Sequence, residues 1–308
     1  METAAMAPEP PPGRVEEALE VCRRLSVDFT WFGADRYPET LASIPDPPAM
    51  LFFRGGVAPG DLPPCAAVIG SRRCSLYGRR VARTLAGELA AAGVAVVSGL
   101  ARGIDAEAHR GALDAGGVTA AVLGSGVDVI YPAEHRGLSE KITVRGCLIS
   151  EYPPGTQPAR HAFPERNRLI SGLSRAVVVV EAGERSGTMI TVGTALDQGR
   201  EVLAVPGEIT CSSAVGTNRL IRDGAGIALG VSDVLLAMGL EGAPMAVETP
   251  DDPDDPLEKL LLEGEASPGE LAARLGMDLA TVWSRLLDLE IKGLVVRRPG
   301  GLFVSSRV

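Results

Sequence analysis

From Ala66 to Leu229 the chain repeats one pattern: a short, unbroken apolar run, a turn rich in glycine and serine, then a helical segment. Ala66–Gly70, Val94–Ser98, Val118–Gly124, Cys147–Ser150, Ala176–Glu181, Val202–Val205 and Gly226–Leu229 are the apolar runs, each too short for a helix and too continuous for a half-exposed strand. Such strands need cover on both faces, which a parallel sheet sandwiched between helices supplies. The intervening segments predict helices over Gly78–Ala92, Ile104–Ala115, Glu134–Val144, Pro164–Leu173, Thr188–Gln198, Thr217–Arg222 and Val231–Met238. The fold class is therefore α/β: a Rossmann-like, doubly wound, mostly parallel sheet over residues 61–240.

The flanks read differently. Residues 1–14 are expected to be a disordered tail, and residues 15–60 a lead-in with a short amphipathic helix at Val15–Leu25 and a Pro-rich stretch. Ala49–Gly55 in that stretch is expected to be an edge strand. Residues 241–256 form an acidic, self-repelling linker. Residues 257–308 give three short helices and a hairpin, the winged-helix pattern: Ser267-Pro268-Gly269-Glu270 has capping-box spacing, and Pro299-Gly300-Gly301 separates two short apolar runs.

In doubly wound sheets ligands bind beyond the carboxyl ends of the strands. Here those ends are rich in small and polar residues: Gly70-Ser71-Arg72, Ser98-Gly99-Leu100-Ala101-Arg102, Gly124-Ser125-Gly126 and Ser186-Gly187-Thr188. Ahead of one helix stand Arg160, Phe163 and Pro164, followed by Arg166, Asn167 and Arg168. Pro164 suits the first helical position, and the free N–H groups of a helix start favour anions. Cations for phosphates beside a ring for a base are the parts of a single-stranded nucleic-acid pocket. The competing reading of this run is a helix start with surface Arg–carboxylate pairs; Glu181 is one carboxylate placed to pair with Arg166 or Arg168.

Net charge (−9) argues only superficially against nucleic acid. Glu241, Glu248, Asp251, Asp252, Asp254, Asp255 and Glu258 hold most of the excess, in and beside the linker, and a field at a site follows local charge. Five widely spaced cysteines without a C-x-x-C pair, and three histidines far from them, argue against structural zinc. No metal and no cofactor is implied. The dinucleotide fingerprint fails at Val129, where its third glycine should stand, and no P-loop motif occurs. Asp105 and His109 share a helix face at four-residue spacing, a placement commoner for a helix-start carboxylate and a structural histidine than for an acid/base pair. No catalytic constellation emerges. No apolar run approaches the ~20 residues of a membrane span.

Taken in order, these motifs resemble the DNA-processing protein A (DprA, or Smf) family over residues 37–235. The matching runs are Val68-Ile69-Gly70-Ser71-Arg72, Tyr77-Gly78, Ser98 to Asp105 with Ala108-His109, Tyr131-Pro132, Ser150-Glu151-Tyr152-Pro153, Phe163 to Arg168, Val180-Glu181-Ala182 with Ser186-Gly187-Thr188, Val205-Pro206-Gly207, and Asn218 to Ile221. The C-terminal unit resembles the winged helix many members carry. The resemblance implies a cytoplasmic, single-stranded DNA-binding protein that protects incoming DNA, helps load the RecA recombinase during natural transformation, and forms a homodimer through the Rossmann-like domain. It implies that Gly70, Ser71 and Arg72 belong to the DNA pocket, that Arg160 and Phe163 occupy a basic and a base-contacting position, and that Arg166, Asn167 and Arg168 contact DNA or shape the pocket. Arg102, Ser186, Gly187 and Thr188 complete the expected binding set. One departure is visible: a single short helix stands where many members have an N-terminal helical domain.

Two rivals stay open at this point. One is a nucleotide-binding or nucleotide-hydrolysing Rossmann-like enzyme, although Glu184-Arg185-Ser186-Gly187-Thr188 replaces the paired-glycine motif of phosphoribohydrolases. The other is a transcription regulator with a ligand-sensing α/β domain. The third helix of the winged helix carries Asp278, Asp288 and Glu290 against Arg285 and Lys292, which is a poor duplex reader and as well suited to protein contact.

Overall fold

The structure, a computed structural model, describes residues 14–184, 186–240, 255–291, 294–298 and 300–305. The expected tail over 1–14 and the acidic linker fall almost wholly outside the described residues. The chain divides into two compact units, residues 1–245 and 246–308.

The first unit begins with α1 (Arg14–Leu25), β1 (Asp28–Trp31), α2 (Glu39–Ala42) and β2 (Met50–Gly55). Strands and helices then alternate: β3 (Cys65–Ile69), α3 (Leu76–Ala91), β4 (Ala95–Ser98), α4 (Ile104–Asp114), β5 (Thr119–Val122), α5 (Arg136–Arg145), β6 (Cys147–Ser150) and α6 (Ala162–Leu173). The unit closes with β7 (Ala176–Val179), α7 (Thr188–Asp197), β8 (Glu201–Ala204), α8 (Val215–Arg222), β9 (Gly226–Ile227) and α9 (Val231–Ala237). They build a nine-stranded sheet in the order β1-β2-β6-β5-β4-β3-β7-β8-β9. From β6 to β9 every pairing is parallel.

The continuous apolar runs are explained by burial on both faces. Along β3, Ala67 and Ile69 enter one core with Leu169, Ile170 and Leu173 of α6, while Ala66 and Val68 enter another with Leu85, Leu89 and Ala112 of α3 and α4. Alternate residues thus face opposite helix layers. A third cluster sits under α1 and α5, around Leu100, Leu123, Ile142 and Leu148.

The lead-in corrects one expectation. The strand over Met50–Gly55 is not at the edge: β1 pairs with it antiparallel on one side and β6 antiparallel on the other. Asp28-Phe29-Thr30-Trp31 has no apolar run to announce it, because a sheet edge buries little; within it only Thr30 is buried. Glu181 is a second correction. It meets neither Arg166 nor Arg168, but accepts from the Ser75 N–H (2.9 Å) and from the hydroxyls of Ser75 (2.5 Å) and Ser213 (3.4 Å).

The second unit holds α10 (Pro256–Glu263), α11 (Pro268–Leu275), α12 (Leu279–Ile291), β10 (Val295–Arg297) and β11 (Phe303–Ser305). Leu257, Leu261, Leu271, Val282, Leu286 and Phe303 form its core. The capping box is formed: the Glu270 N–H donates to Ser267 Oγ (3.3 Å) and Glu270 Oε2 accepts the Ser267 N–H (2.7 Å). The exposed side of α12 carries Leu279, Trp283 and Leu287, with the Arg297 guanidinium 5.7 Å from the centroid of the Trp283 ring.

Candidate nucleic-acid interface

Strand order reverses between β3 and β7. The chain walks outward through β4, β5 and β6, then returns to place β7 beside β3. Crossovers leave in opposite directions at such a point, so a crevice opens beyond the strand ends. A cavity of about 450 Å³ lies there.

Its first wall is the β3–α3 turn, with Gly70, Ser71, Arg72 and Arg73. Only glycine fits at 70, since a Cβ would lie 2.7 Å from Ile104 Cγ1 and 2.9 Å from the Glu181 carbonyl oxygen. The turn is braced from two sides. The Ser71 N–H donates to the Glu181 carbonyl (2.8 Å), and the Ser71 carbonyl accepts the Ile104 N–H (3.2 Å). Arg72 projects from this fixed turn with its guanidinium carbon 5.6 Å from the centroid of Phe163, a cation–π contact. Neither Arg72 nor Arg73 has a carboxylate partner among the described residues, so both keep charge for an incoming anion.

The second wall is α6, which supplies Phe163, Pro164, Arg166, Asn167 and Ile170. The helix starts two residues earlier than expected, at Ala162, so Pro164 is its third residue rather than its first. The exchange costs nothing in hydrogen bonds, because the third N–H of a helix also lacks an intrahelical partner. Phe163 is half-buried, and its ring lies 5.6 Å from that of Tyr131. The third wall is the start of α7, Ser186-Gly187-Thr188 with Ile190 and Thr191. Ser186 Oγ accepts the Thr188 N–H (3.2 Å), the N–H groups of Met189 and Ile190 donate to the carbonyls of Ser186 (3.1 Å) and Gly187 (3.1 Å), and the helix start turns the positive end of its dipole to the cavity. Gly70, Ser71, Arg72, Phe163, Arg166, Asn167, Ser186, Gly187 and Thr188 are thus brought to one cavity.

The other expected cations are placed differently. Arg166 touches the cavity but is buried, donating to the carbonyls of Gly99 (2.8 Å) and Val122 and, through Nε, to Asn167 Oδ1 (3.1 Å). Burial lowers its pKa to about 10, against the opposing pull of Asp105. It sits where Gly99 leaves room: a Cβ there would lie 2.4 Å from the guanidinium. Arg166 thereby ties α6 to the ends of β4 and β5 and orients Asn167. Arg168 lines no part of the cavity; it binds Glu151 (2.7 Å) and pairs with Asp46 (3.2 Å). Arg102 lies on a small adjoining pocket with Tyr131, Pro132 and Phe163, clamped by both oxygens of Glu134 (2.7 and 2.8 Å). Arg160 is exposed three residues ahead of Phe163 and outside the cavity lining.

Asp105 and His109 are not joined. The Asp105 carboxylate accepts the N–H groups of Gly99 (3.1 Å) and Ala101 (3.3 Å), which fixes the second strand-end loop. His109 is wholly buried; burial lowers its pKa to about 3, and its Nδ1 lies 2.7 Å from Thr119 Oγ1. Thr119 gives its own proton to the Val96 carbonyl, so His109 Nδ1 is the donor. Burial also holds the Cys65 and Cys147 thiols protonated. Sequence reasoning missed Arg73 and Tyr131 as neighbours of the cleft. Their signal was position alone, each in a loop leaving a strand end.

A sequence model described as DNA recombination-mediator protein A matches residues 28–239, and one described as DprA winged helix domain matches residues 241–301. Protein Smf of Escherichia coli is 41% identical over 280 residues, covering 86% of this chain and 74% of that protein. DNA processing protein DprA of Streptococcus pneumoniae is 44% identical over 207 residues, covering 65% of this chain and 71% of its own. The solved structure of that pneumococcal protein superposes with a TM-score of 0.66 at 39% identity, over 71% of this chain and 77% of that one. DNA processing protein A from Helicobacter pylori, whose structure is described for its single-stranded DNA binding mode, gives a TM-score of 0.61 at 29% identity, over 68% and 95%.

Proposed function

The chain belongs to the DNA recombination-mediator protein A family, and on that footing we propose that it is a recombination mediator that holds single-stranded DNA in the β3/β7 cleft without chemical conversion. The observation that carries this reading is Arg72 standing over Phe163 at the mouth of the cleft. A phosphate-binding cation and a base-stacking ring come from two walls and meet within one nucleotide's reach. Gly70 and Ser71 let the strand come close to the β3–α3 turn, and the start of α7 turns the positive end of its dipole toward the next phosphate. Arg166 and Asn167 shape the wall, Arg160 adds charge at the rim, and Arg102, paired with Glu134, lines the adjoining pocket. Stacking on a ring contributes roughly 1–3 kcal/mol per base and needs an unpaired strand.

The mediator bound along a strand shields it from nucleases and presents it to RecA in the cytoplasm. Its homodimer gives two clefts in one particle, which raises apparent affinity through effective concentration. The free edge of the sheet at β9, with Ile227, Leu229 and Leu236 exposed, supports self-association of the α/β unit. No helix among the described residues is long and apolar enough to cross a membrane.

The test is RecA filament formation on oligo-dT pre-coated with single-strand binding protein, read as DNA-dependent ATP hydrolysis, with and without this chain. The reading predicts stimulation by wild type and none by Arg72→Gln/Phe163→Ala. Equal rates with and without the chain contradict loading. Release of free base from nucleoside monophosphates, seen by ultraviolet product analysis, contradicts the non-enzymatic reading.

A further inference from the structure

Among the described residues of the α/β unit, four aromatic side chains are largely exposed: Trp31 (54%), Phe32 (52%), Tyr77 (52%) and Tyr131 (50%). All four lie on the rim of the sheet that carries the cleft. β1 is antiparallel to β2, and β2 to β6, so β1 runs in the direction of the parallel strands. Its last residue, Trp31, and the next, Phe32, therefore finish at the carboxyl rim. Tyr131 is in the loop after β5, beside Phe163. Tyr77 opens α3 and donates its hydroxyl to the carbonyl of Pro206, just beyond β8. The half-buried Tyr152, which follows β6, completes the row.

An exposed ring forgoes the hydrophobic gain of burial, and this chain is poor in aromatics, at 4%. Rings scattered for packing alone would not gather on one rim. A row of them leading out of a cation-lined cleft is the arrangement that accepts successive bases of a single strand. Between β3 and β1 lie five strand spacings, about 24 Å at ~4.8 Å each. That is the length of about seven stacked nucleotides at ~3.4 Å, and of fewer when the strand is extended. Two acids on this path, Glu151 and Asp46, are held by Arg168.

We propose that the strand held in the β3/β7 cleft continues across the rim, past Tyr131, to a second stacking platform made by Trp31 and Phe32 on the edge strand. The proposal rests on the single-stranded DNA reading above. Among the described residues the cation–π contacts lie on rings other than Trp31 and Phe32, so this outer arm grips bases rather than phosphates. Its contribution is accordingly insensitive to salt, in contrast with that of Arg72.

Trp31 is one of only two tryptophans, so the full chain carrying Trp283→Phe reports from Trp31 alone. Oligo-dT of about 15 nucleotides is expected to quench that fluorescence, and oligo-dT of about 5 nucleotides to bind without quenching it. In the wild-type background, Trp31→Ala/Phe32→Ala is expected to weaken the long oligonucleotide roughly 5- to 150-fold. The salt slope should stay the same, the short oligonucleotide should be unaffected, and Trp31→Phe should restore most of the loss. Tight binding of both lengths with no quench and no loss in the double variant overturns the rim path while leaving the cleft intact. A double variant that binds both lengths normally but sediments as a smaller particle makes the platform a self-association face and likewise overturns it. Failure of either length to bind overturns the cleft reading and the path together.

Discussion

Arg72 and Phe163 contact each other, yet they should fail in different ways when removed. For single-stranded DNA each neutralised phosphate contributes about −0.7 to the slope of log K against log salt. Over a fourfold rise, from about 50 to 200 mM, one contact therefore changes affinity by about 2.6-fold. Arg72→Gln removes a cation that pairs with no carboxylate among the described residues, so little folded-state energy is lost with it. Its deficit relative to wild type should shrink by about 2.6-fold across that salt range. Phe163→Ala removes a half-buried ring, with a loss of about 1–3 kcal/mol, or roughly 5- to 150-fold in affinity, the same at both salts. The guanidinium lies 5.6 Å from the ring centroid, so the double variant should fall short of additivity by about 0.5–1 kcal/mol. Fluorescence anisotropy of a labelled oligo-dT over a salt series measures all of these. Equal slope changes in the two single variants would refute the division of labour between cation and ring.

Gly70→Ala places a Cβ within 2.9 Å of the Glu181 carbonyl and 2.7 Å of Ile104. Overpacking of this kind costs about 1–3 kcal/mol, so thermal unfolding should come about 2–12 °C lower, together with weaker DNA binding as the Arg72 turn shifts. Arg168→Ala should lower thermal stability, because it frees Glu151 and Asp46, yet leave the salt slope of DNA binding unchanged; a flattened slope would move Arg168 into the contact set. The pKa of His109 is lowered to about 3 by burial, below the ~6.5 of an unfolded histidine. Between those values the unfolded state binds the extra proton, so stability falls as pH drops below about 6.5, by up to ~1.4 kcal/mol per pH unit. His109→Gln should remove that part of the acid dependence in urea melts at pH 7 and pH 5.

Most of the fold was legible because burial on two faces leaves its mark on sequence. Cys147–Ser150 was expected at its observed bounds, and the helix at Ile104 differs only at its end. The winged helix announced itself through local chemistry, Ser267 with Glu270. What escaped was held by contacts distant in sequence. β1 is four residues long and takes its strand character from pairing with Met50–Phe53, not from its own pattern. Ser75 claims Glu181 across 106 positions, a partnership no local spacing suggests. At the cleft, residue types pointed to a helix that lines the cavity but could not say which cations face out. Arg166 looks like a phosphate ligand in a list of charges, although Leu169, Ile170 and Leu173 stand three, four and seven residues on, along the inward stripe of the same helix. That periodicity marks residue 166 as buried, where a guanidinium serves carbonyls.

The central claim is that the cleft takes an unpaired strand. It is tested most directly by anisotropy titrations of this chain against a labelled oligo-dT and a duplex of the same length, in parallel at several salt concentrations. The account predicts salt-sensitive binding to the single strand, much tighter than to the duplex, and lost in Arg72→Gln/Phe163→Ala. Equal or stronger binding to the duplex, or binding unchanged in that double variant, would contradict it.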